Sequence, residues 1–234
     1  MKAKLITIVL LVAAAVAIGE VRRRASTIEK KEPVPYKASI KWYANEAKNK
    51  GQKKVGVPAP LVEYLGGAGL ISAEEAFSSS TVVVAHLVSK QSTYRNNDIR
   101  TWNKFAIDET LSEAKDLPCP GCVLPSPPAT LLPLSPGEFL LPKTGGAVNI
   151  DGVEVQQFVE DYPEFELNQK YVLLLLLYPS GVARTFGGPV GVFKVLANDK
   201  LAPISESEHK IRKDFKDLYG NSLDQVRKHL KTSK

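Results

Sequence analysis

Cysteine is scarce in this chain, with two residues in 234, Cys119 and Cys122, which form a CPGC motif. Two thiols can close a tight disulfide ring or act as a redox pair, but they lack further ligands for a metal. A reactive pair requires one thiol with a lowered pKa, usually at a helix amino terminus. The Val-Leu-Pro-Ser-Pro-Pro that follows the motif forbids such a helix. The motif therefore favours a structural disulfide or an idle thiol pair, with redox work as the alternative.

Histidine is also rare, and its three copies, His86, His209 and His229, are scattered. They form no HExxH or HxH spacing, so the sequence predicts no metal site. No GxSxG motif for a nucleophilic serine is present either. The adjacent acidic residues at 108–109 and 160–161 alternate across a strand, which argues against paired acid–base work. These absences favour a protein that is not an enzyme and that uses no cofactor.

Apolar runs long enough to span a bilayer are missing. Residues 5–18 make a largely apolar segment of fourteen residues, whereas a spanning helix needs about 20. Lysines before it and small residues at its end predict a secretory signal peptide over residues 1–19, cleaved after Ala17 or Gly19. The arginines at 22–24 oppose export. We expect a periplasmic or secreted protein, with anchoring to the inner membrane by residues 5–18 as the alternative.

The charge is segregated along the chain. Residues 22–54 hold eleven basic and three acidic side chains, residues 60–199 nine basic and sixteen acidic, and residues 200–234 nine basic and five acidic. A pI near 9.1 is typical of nucleic-acid-binding proteins. The basic residues nevertheless lie outside the β-rich centre, so we expect no nucleic acid as partner and interpret the flanks as solvated helical faces.

One apolar run, KYVLLLLLY at residues 170–178, dominates the rest of the sequence. It is too short to cross a membrane, so it predicts the most buried strand of a β-domain. Both of its faces are apolar and need cover. The interior of a barrel would cover one face, and a helix with the stripe Ile211, Phe215 and Leu218 would cover the other.

Other segments predict further β-structure and short helices. Alternating and β-branched residues predict strands at 81–90, 100–111, 145–155 (two strands), 187–196 and 200–204. A polar turn at 94–98 would join the first two as a hairpin. Residues 118–142 hold eight prolines, a density that predicts a long loop without a regular ladder.

Four of these segments resemble a group of exported bacterial proteins: the apolar strand at 81–88, the aromatic strand at 102–110, Gly146–Ile150 after a Gly-Gly pair, and residues 169–175. The layout is similar to the OB-type barrel of netrin modules and of the tissue inhibitors of metalloproteinases. This resemblance covers about half of the chain and implies a fold. Those inhibitors present an amino-terminal Cys to the zinc of their target, and no residue here matches it, so it does not imply metalloproteinase inhibition.

The predicted fold class is mainly β: a small OB-like β-barrel with flanking α-helices at both ends. A signal peptide or anchor at 1–19 precedes a basic, partly helical segment and linker at 20–70. The barrel domain then covers 71–204, including the Pro-rich loop 118–142, and C-terminal helices at 205–234 pack on it.

The resulting functional prediction is a non-enzymatic extracytoplasmic protein that contacts a protein or a cell-envelope component. One alternative is a thiol-disulfide redox protein that uses Cys119 and Cys122. A second alternative is an OB-like protein that binds nucleic acid, which would require the leader to have another role.

Overall fold

The computed structural model describes residues 38–59, 73–114, 124–159, 162–205, 215–217 and 220–232, with only the backbone for 231–232. The predicted signal segment and the CPGC motif lie outside these ranges. So do Ile211 and Leu218 of the predicted carboxyl-terminal helix. The predictions made for these residues therefore remain predictions.

The described part of the chain contains three α-helices, α1 (Ile40–Asn49), α2 (Ala73–Ser78) and α3 (Leu223–Thr232), and residues 215–217 are also helical. None of the helices in these ranges combines the length and the apolar character that crossing a bilayer requires. The strands are β1 (Lys54–Pro58), β2 (Thr81–Arg95), β3 (Asp98–Ser112), β4 (Glu138–Thr144), β5 (Gly146–Ile150), β6 (Val153–Phe158), β7 (Lys170–Leu177), β8 (Ala183–Thr185), β9 (Val192–Val195) and β10 (Leu201–Pro203).

The protein is mainly β, and β7 lies in the middle of the larger of its two described sheets. This sheet has seven strands in the order β10-β9-β7-β2-β3-β4, with β8 also paired to β7. Val172, Leu173 and Leu174 of β7 have no solvent exposure. The prediction that KYVLLLLLY forms a buried strand is confirmed, because Tyr171–Leu175 are all buried between the ladders to β2 and β9 and the two cores.

The two faces of β7 contribute to different cores. We call the first the inner core; it draws on β2, β3, β4, β7, β8 and β9, and its members include Val83, Leu87, Phe105, Phe139, Leu141, Tyr171, Leu173 and Ala183. The outer core combines Val172 and Leu174 with Phe215 and with residues of α2 and α3. The ring of Phe215 stacks on Phe193, with centroids 4.1 Å apart. The predicted cover of β7 by Phe215 is thus confirmed, and α2 adds cover that the sequence did not predict.

Strand β4 corrects the prediction that residues 118–142 hold no regular ladder. Its residues pair with β3 from Thr101↔Lys143 to Ala106↔Glu138, and Pro142 lies opposite Trp102. A proline is tolerated in this position because it sits on a strand whose second edge carries no full ladder, so its missing N–H removes no necessary bond. The described residues of the Pro-rich segment before β4 cover Trp102, Leu140 and Val182 through three leucines, Leu124, Leu131 and Leu134.

A second, three-stranded sheet also departs from the predicted single barrel. Its order is β1-β6-β5, and β1 runs parallel to β6. The predicted linker around Val55–Pro58 is therefore a strand, and Gly146–Ile150 belongs to this sheet rather than to the larger one. Helix α1 packs on it through Ile40, Ala44 and Ala47, which recur at helical spacing. Sequence patterns miss such an arrangement because the pairing partners lie far apart along the chain.

The two sheets meet at the end of β4. Gly145 and Gly146 both have positive φ, 95° and 128°, and a side chain on Gly146 would collide with Thr101 and Ser92. The Thr101 hydroxyl donates to the carbonyl oxygen of Gly145 at 2.7 Å. In addition, the buried Gln157 side chain accepts from the Ile99 N–H at 3.0 Å. Glycine is needed here because the chain leaves one sheet and enters the other in direct contact with β2 and β3.

Candidate functional site

A cleft of about 380 Å³ lies between the far end of the β2–β3 hairpin and the start of the described Pro-rich segment. Its lining mixes cationic, hydroxyl, amide and aromatic groups: Thr93, Arg95, Asn96, Asp98, Arg100, Trp102, Pro125 and Ser126. The hairpin residues come from one face of the sheet because Thr93 pairs with Arg100 and Arg95 pairs with Asp98.

The hairpin tip is built by two asparagines. Asn96 and Asn97 adopt φ values of 52° and 61°, which is the backbone of the two-residue turn that suits twisted antiparallel strands. The Asn97 side chain then accepts a hydrogen bond of 2.7 Å from the N–H of Ile40, the first residue of α1. The tip is therefore held by both its own turn and the helix, so the wall of the cleft that carries Arg95 and Asp98 has a defined position.

The charges in the cleft are unevenly matched. An Arg100 guanidinium nitrogen lies 3.0 Å from a carboxylate oxygen of Asp98. Arg95 is exposed, and among the described residues no carboxylate lies within ion-pair distance of it. The lining thus holds two cationic side chains and one anionic side chain, which gives it a net charge of one positive unit. A cleft of this kind attracts an anion without being strongly basic.

Trp102 forms the floor where the cleft meets the Pro-rich segment. Only 2% of its surface is exposed, and Leu124, Leu131 and Leu134 cover it. An aromatic residue so deeply covered supplies an apolar edge to a ligand but no open face on which a nucleobase would stack.

A second polar cluster closes one end of the inner core. Lys143 projects from β4 with 2% of its side chain exposed, and its ammonium lies 3.1 Å from Glu164 and 5.1 Å above the ring of Tyr162. Burial lowers the pKa of Lys143, and the neighbouring Glu164 carboxylate opposes that shift only in part. Lys90 also reaches this carboxylate, at 3.7 Å. The cluster fixes the loop before β7 over the core and offers little access to a ligand.

Asn103 belongs to the same face of the sheet. Its amide nitrogen donates to the carbonyl oxygen of Leu141 at 3.1 Å, whereas its buried side-chain oxygen has no hydrogen-bond partner among the residues that the structure describes. An unpaired buried acceptor costs about 1–3 kcal/mol unless water reaches it. The unpaired oxygen of Asn103 therefore lowers the free energy of unfolding of the inner core.

Of the residues that the sequence singled out, the described part of the chain includes His86, Asp108 and Glu109, which form two separate ion pairs. The His86 ring nitrogen Nδ1 lies 2.8 Å from Asp108, which also contacts Lys170 at 3.2 Å. Glu109, its neighbour, instead binds Arg227 of α3 at 2.8 Å. Both carboxylates lie on the outer-core face of β3, because the register shift between Val84 and Ala85 leaves Asp108 as an extra residue beside His86 while Glu109 pairs with Val84. The prediction that these adjacent carboxylates point to opposite faces is wrong for this pair, since a bulge interrupts the alternation. Cys119 and Cys122 lie outside the described residues, so the disulfide and the redox role remain predictions.

Sequence reasoning missed the cleft, although its signal was present. The sequence predicts only a polar turn at 94–98, and the pairing of Thr93 with Arg100 extends the hairpin beyond the predicted strands. In the described ranges no cluster of three or more histidine, cysteine or acidic side chains is arranged to hold a metal ion.

Comparison with known proteins gives no relative on which to rest a function. No protein-family model matches the chain, no curated protein matches it, and no solved structure matches its fold. The functional argument therefore rests on the geometry of the cleft.

Proposed function

We propose that this chain is a non-enzymatic, extracytoplasmic binding protein that takes part of a partner protein of the cell envelope into the cleft beside the β2–β3 hairpin. The observation that carries the proposal is the cleft itself, with an uncommitted guanidinium on a wall that a turn and a helix hold in place. Sites with a few convergent polar groups beside an apolar floor are typical of binding surfaces.

An OB-like barrel is part of this proposal. The Leu140 N–H donates to the carbonyl oxygen of Gly181 at 2.9 Å, and Leu140 forms a parallel bridge with Val182. This contact would complete the circuit β2-β3-β4-β8-β7, in which every other neighbour is joined by a ladder. The shared inner core of these strands supports the same closure. Hydrogen exchange at the Leu140 amide tests it: protection equal to that of β7 supports closure, and exchange at the rate of a free edge contradicts it.

A protein partner suits the cleft better than nucleic acid does. Single-stranded nucleic acid requires a basic groove with open aromatic faces. Here Asp98 halves the positive charge and the Pro-rich segment covers Trp102. Cell fractionation tests the location: recovery of the chain in the cytoplasm would contradict export and would favour the nucleic-acid alternative.

Site-specific photocrosslinking in the native host tests the binding role. A photoreactive benzoylphenylalanine replaces Ser126, which is exposed on one wall of the cleft, in the full chain. The matched control places the same residue at Lys200, exposed on the far side of the larger sheet beyond β9. Both positions are exposed, so neither replacement should disturb folding.

The expected result is a discrete protein adduct from position 126 that is missing from position 200. Mass spectrometry of the adduct identifies the partner. No adduct at 126, or the same adducts at both positions, would refute the binding role of the cleft.

A further inference from the structure

The lining of the cleft carries one net positive charge, with Arg95 and Arg100 set against Asp98. Its remaining groups are neutral: two hydroxyls, an amide, an indole and a proline. A ligand that neutralises this charge without adding repulsion carries a single negative charge. Carboxylate is the group of this kind that proteins display most often, and it matches the fork of guanidinium donors.

We infer that the cleft binds one carboxylate side chain from an acidic segment of a partner protein; this inference rests on the binding function proposed above. The two guanidinium groups supply the donors. The structure commits one Arg100 N–H to Asp98, at 3.0 Å, out of the five that a guanidinium carries. Arg95 makes no ion pair within the described residues. Both arginines line the cleft together with Thr93 and Ser126, and the Thr93 hydroxyl donates to the Arg100 carbonyl oxygen at 3.4 Å.

Asp98 sets the selectivity of this site. Its carboxylate pairs with the cation of Arg100, so a single carboxylate on the ligand side is balanced by the free charge of Arg95. A phosphate group carries about 1.5 to 2 negative charges at pH 7, and the charge beyond one would lie in the same cleft as Asp98. Like charges at this spacing repel, so the cleft favours carboxylate over phosphate.

The tip of the β2–β3 hairpin is preorganised before such a ligand binds. Asn97 accepts the N–H of Ile40, which places the positive amino end of α1 behind the tip. The positive φ values of Asn96 and Asn97 fix the direction in which Arg95 and Asp98 leave the turn. Little conformational entropy therefore has to be lost from the backbone when the carboxylate enters.

Peptide titration by NMR tests the inference on the full chain labelled with ¹⁵N. The probes are acetyl-Gly-Ser-Glu-Ser-Gly-amide, the same peptide with Gln in place of Glu, and inorganic phosphate. The observed signals are the Arg95 and Arg100 Nε–H and the indole N–H of Trp102. The variants are Arg95→Gln, Arg100→Gln and Asp98→Asn, and Lys200→Gln removes one exposed positive charge away from the cleft.

We expect the Glu peptide to shift these signals at concentrations where the Gln peptide and phosphate do not. Each arginine substitution should weaken the Glu peptide about tenfold, since a charge-assisted hydrogen bond is lost, and Lys200→Gln should leave its affinity unchanged. Asp98→Asn should admit phosphate. Equal binding of the Glu and Gln peptides, phosphate binding to the unmodified protein, or an unchanged affinity in Arg95→Gln would overturn the inference.

The two proposals fail in different ways. If position 126 still crosslinks a partner but the Glu and Gln peptides bind alike, only the carboxylate inference is wrong. If the Glu peptide binds as expected but no partner crosslinks in the host, the cleft is an anion site without the proposed binding function.

Discussion

Leu174 lies at the centre of β7 and has no exposed surface. It pairs with Val82 of β2 and packs in the outer core. Replacing it with Ala removes buried methyl groups and leaves a cavity in the outer core, so we expect a loss of about 2–5 kcal/mol in the free energy of unfolding. Leu167→Ala is the matched control, because Leu167 is 55% exposed and its loss should cost less than about 0.5 kcal/mol. Urea unfolding measures both, and equal costs would contradict the placement of β7.

Lys143 gives the protein an alkaline pH dependence. Burial lowers the pKa of its ammonium below the ordinary value of 10.5, Glu164 opposes this shift, and Lys90 adds to it. Between the lowered pKa and 10.5 the unfolded chain binds the proton more strongly than the folded chain does. The free energy of unfolding must therefore rise with pH in this window. Below the window the whole penalty of the buried charge is present, and above 10.5 it is gone.

The variant Lys143→Met removes this titration. Its free energy of unfolding should lack the rise from neutral pH towards 10.5 that the unmodified protein shows. Burial also raises the pKa of Tyr171, which lowers stability at the alkaline end, but Tyr171 is present in both proteins and cancels in their difference. Urea unfolding across this pH range is the measurement. Lys200→Met, which removes an exposed lysine, should keep the rise; a rise retained by Lys143→Met would show that its cause lies elsewhere.

At the scale of elements, the entry into β4 depends on Glu138. Its carboxylate lies 2.8 Å from Lys104 and accepts the Ser135 N–H at 2.7 Å, and these contacts lower the pKa of Glu138. A lowered pKa stabilises the fold above the ordinary value of 4.5, and that stability is lost as the pH falls through the folded-state pKa. Glu138→Gln should cost about 1–2 kcal/mol at neutral pH and little in acid. Thermal unfolding at both pH values checks this, and an equal loss at both would contradict it.

The junction between β4 and β5 allows a second prediction at the scale of elements. Gly146→Ala places a methyl group against Thr101 and Ser92 at a positive φ, so it should destabilise the protein by about 2–4 kcal/mol. Gly152→Ala is the control: φ is 88° there, but no atom lies within 4 Å of the new methyl group, and backbone strain alone should cost about 1 kcal/mol. Chemical denaturation separates the two. A Gly146→Ala variant as stable as the control would mean that the start of β5 does not contact Thr101 and Ser92 of the hairpin closely.

The elements that sequence patterns could predict are those whose signal is local. The apolar side chains of residues 81–88 and 170–178 are enough to predict buried strands. The sequence also predicts a partly helical segment within residues 20–70, where the structure places α1 with Ile40, Ala44 and Ala47 buried. The sequence does not predict strand β4, because the eight prolines of residues 118–142 outweigh the apolar Phe-Leu-Leu run near the end of that segment. In the structure Pro142 occupies an edge position. The pairing of β1 with β6 was hidden because no local pattern specifies a partner about 100 residues away.

The candidate site was less predictable than the fold. Its two walls come from a hairpin and from a loop, and only the fold brings Arg95 and Ser126 to one cleft. The sequence did supply the turn at Asn96 and Asn97, which positions one wall. It gave no sign that Asn97 also caps α1, since that contact joins residues 57 positions apart. The charge balance of the cleft follows from that geometry rather than from the overall excess of basic residues.

At the scale of the whole molecule, the two sheets should unfold together. Ser39–Lys234 form one compact unit, and the hydrogen bonds from the Ile99 N–H to Gln157 and from the Thr101 hydroxyl to Gly145 cross the junction. The chain holds two tryptophans: Trp42 lies in α1 on the smaller sheet, and Trp102 lies in the larger one. Each can report on its own sheet when the other is replaced by Phe.

In Trp102→Phe, the fluorescence of Trp42 should follow the same urea transition as far-UV circular dichroism, and the fluorescence of Trp102 should do so in Trp42→Phe. Coincident transitions are the mark of a single cooperative unit. Gly146→Ala, added to either protein, should separate the transitions, because it loosens the junction without touching either tryptophan. Separate transitions in the proteins that keep Gly146 would show instead that α1 and its sheet fold as an independent unit, and that the Asn97 cap does not hold the wall of the cleft.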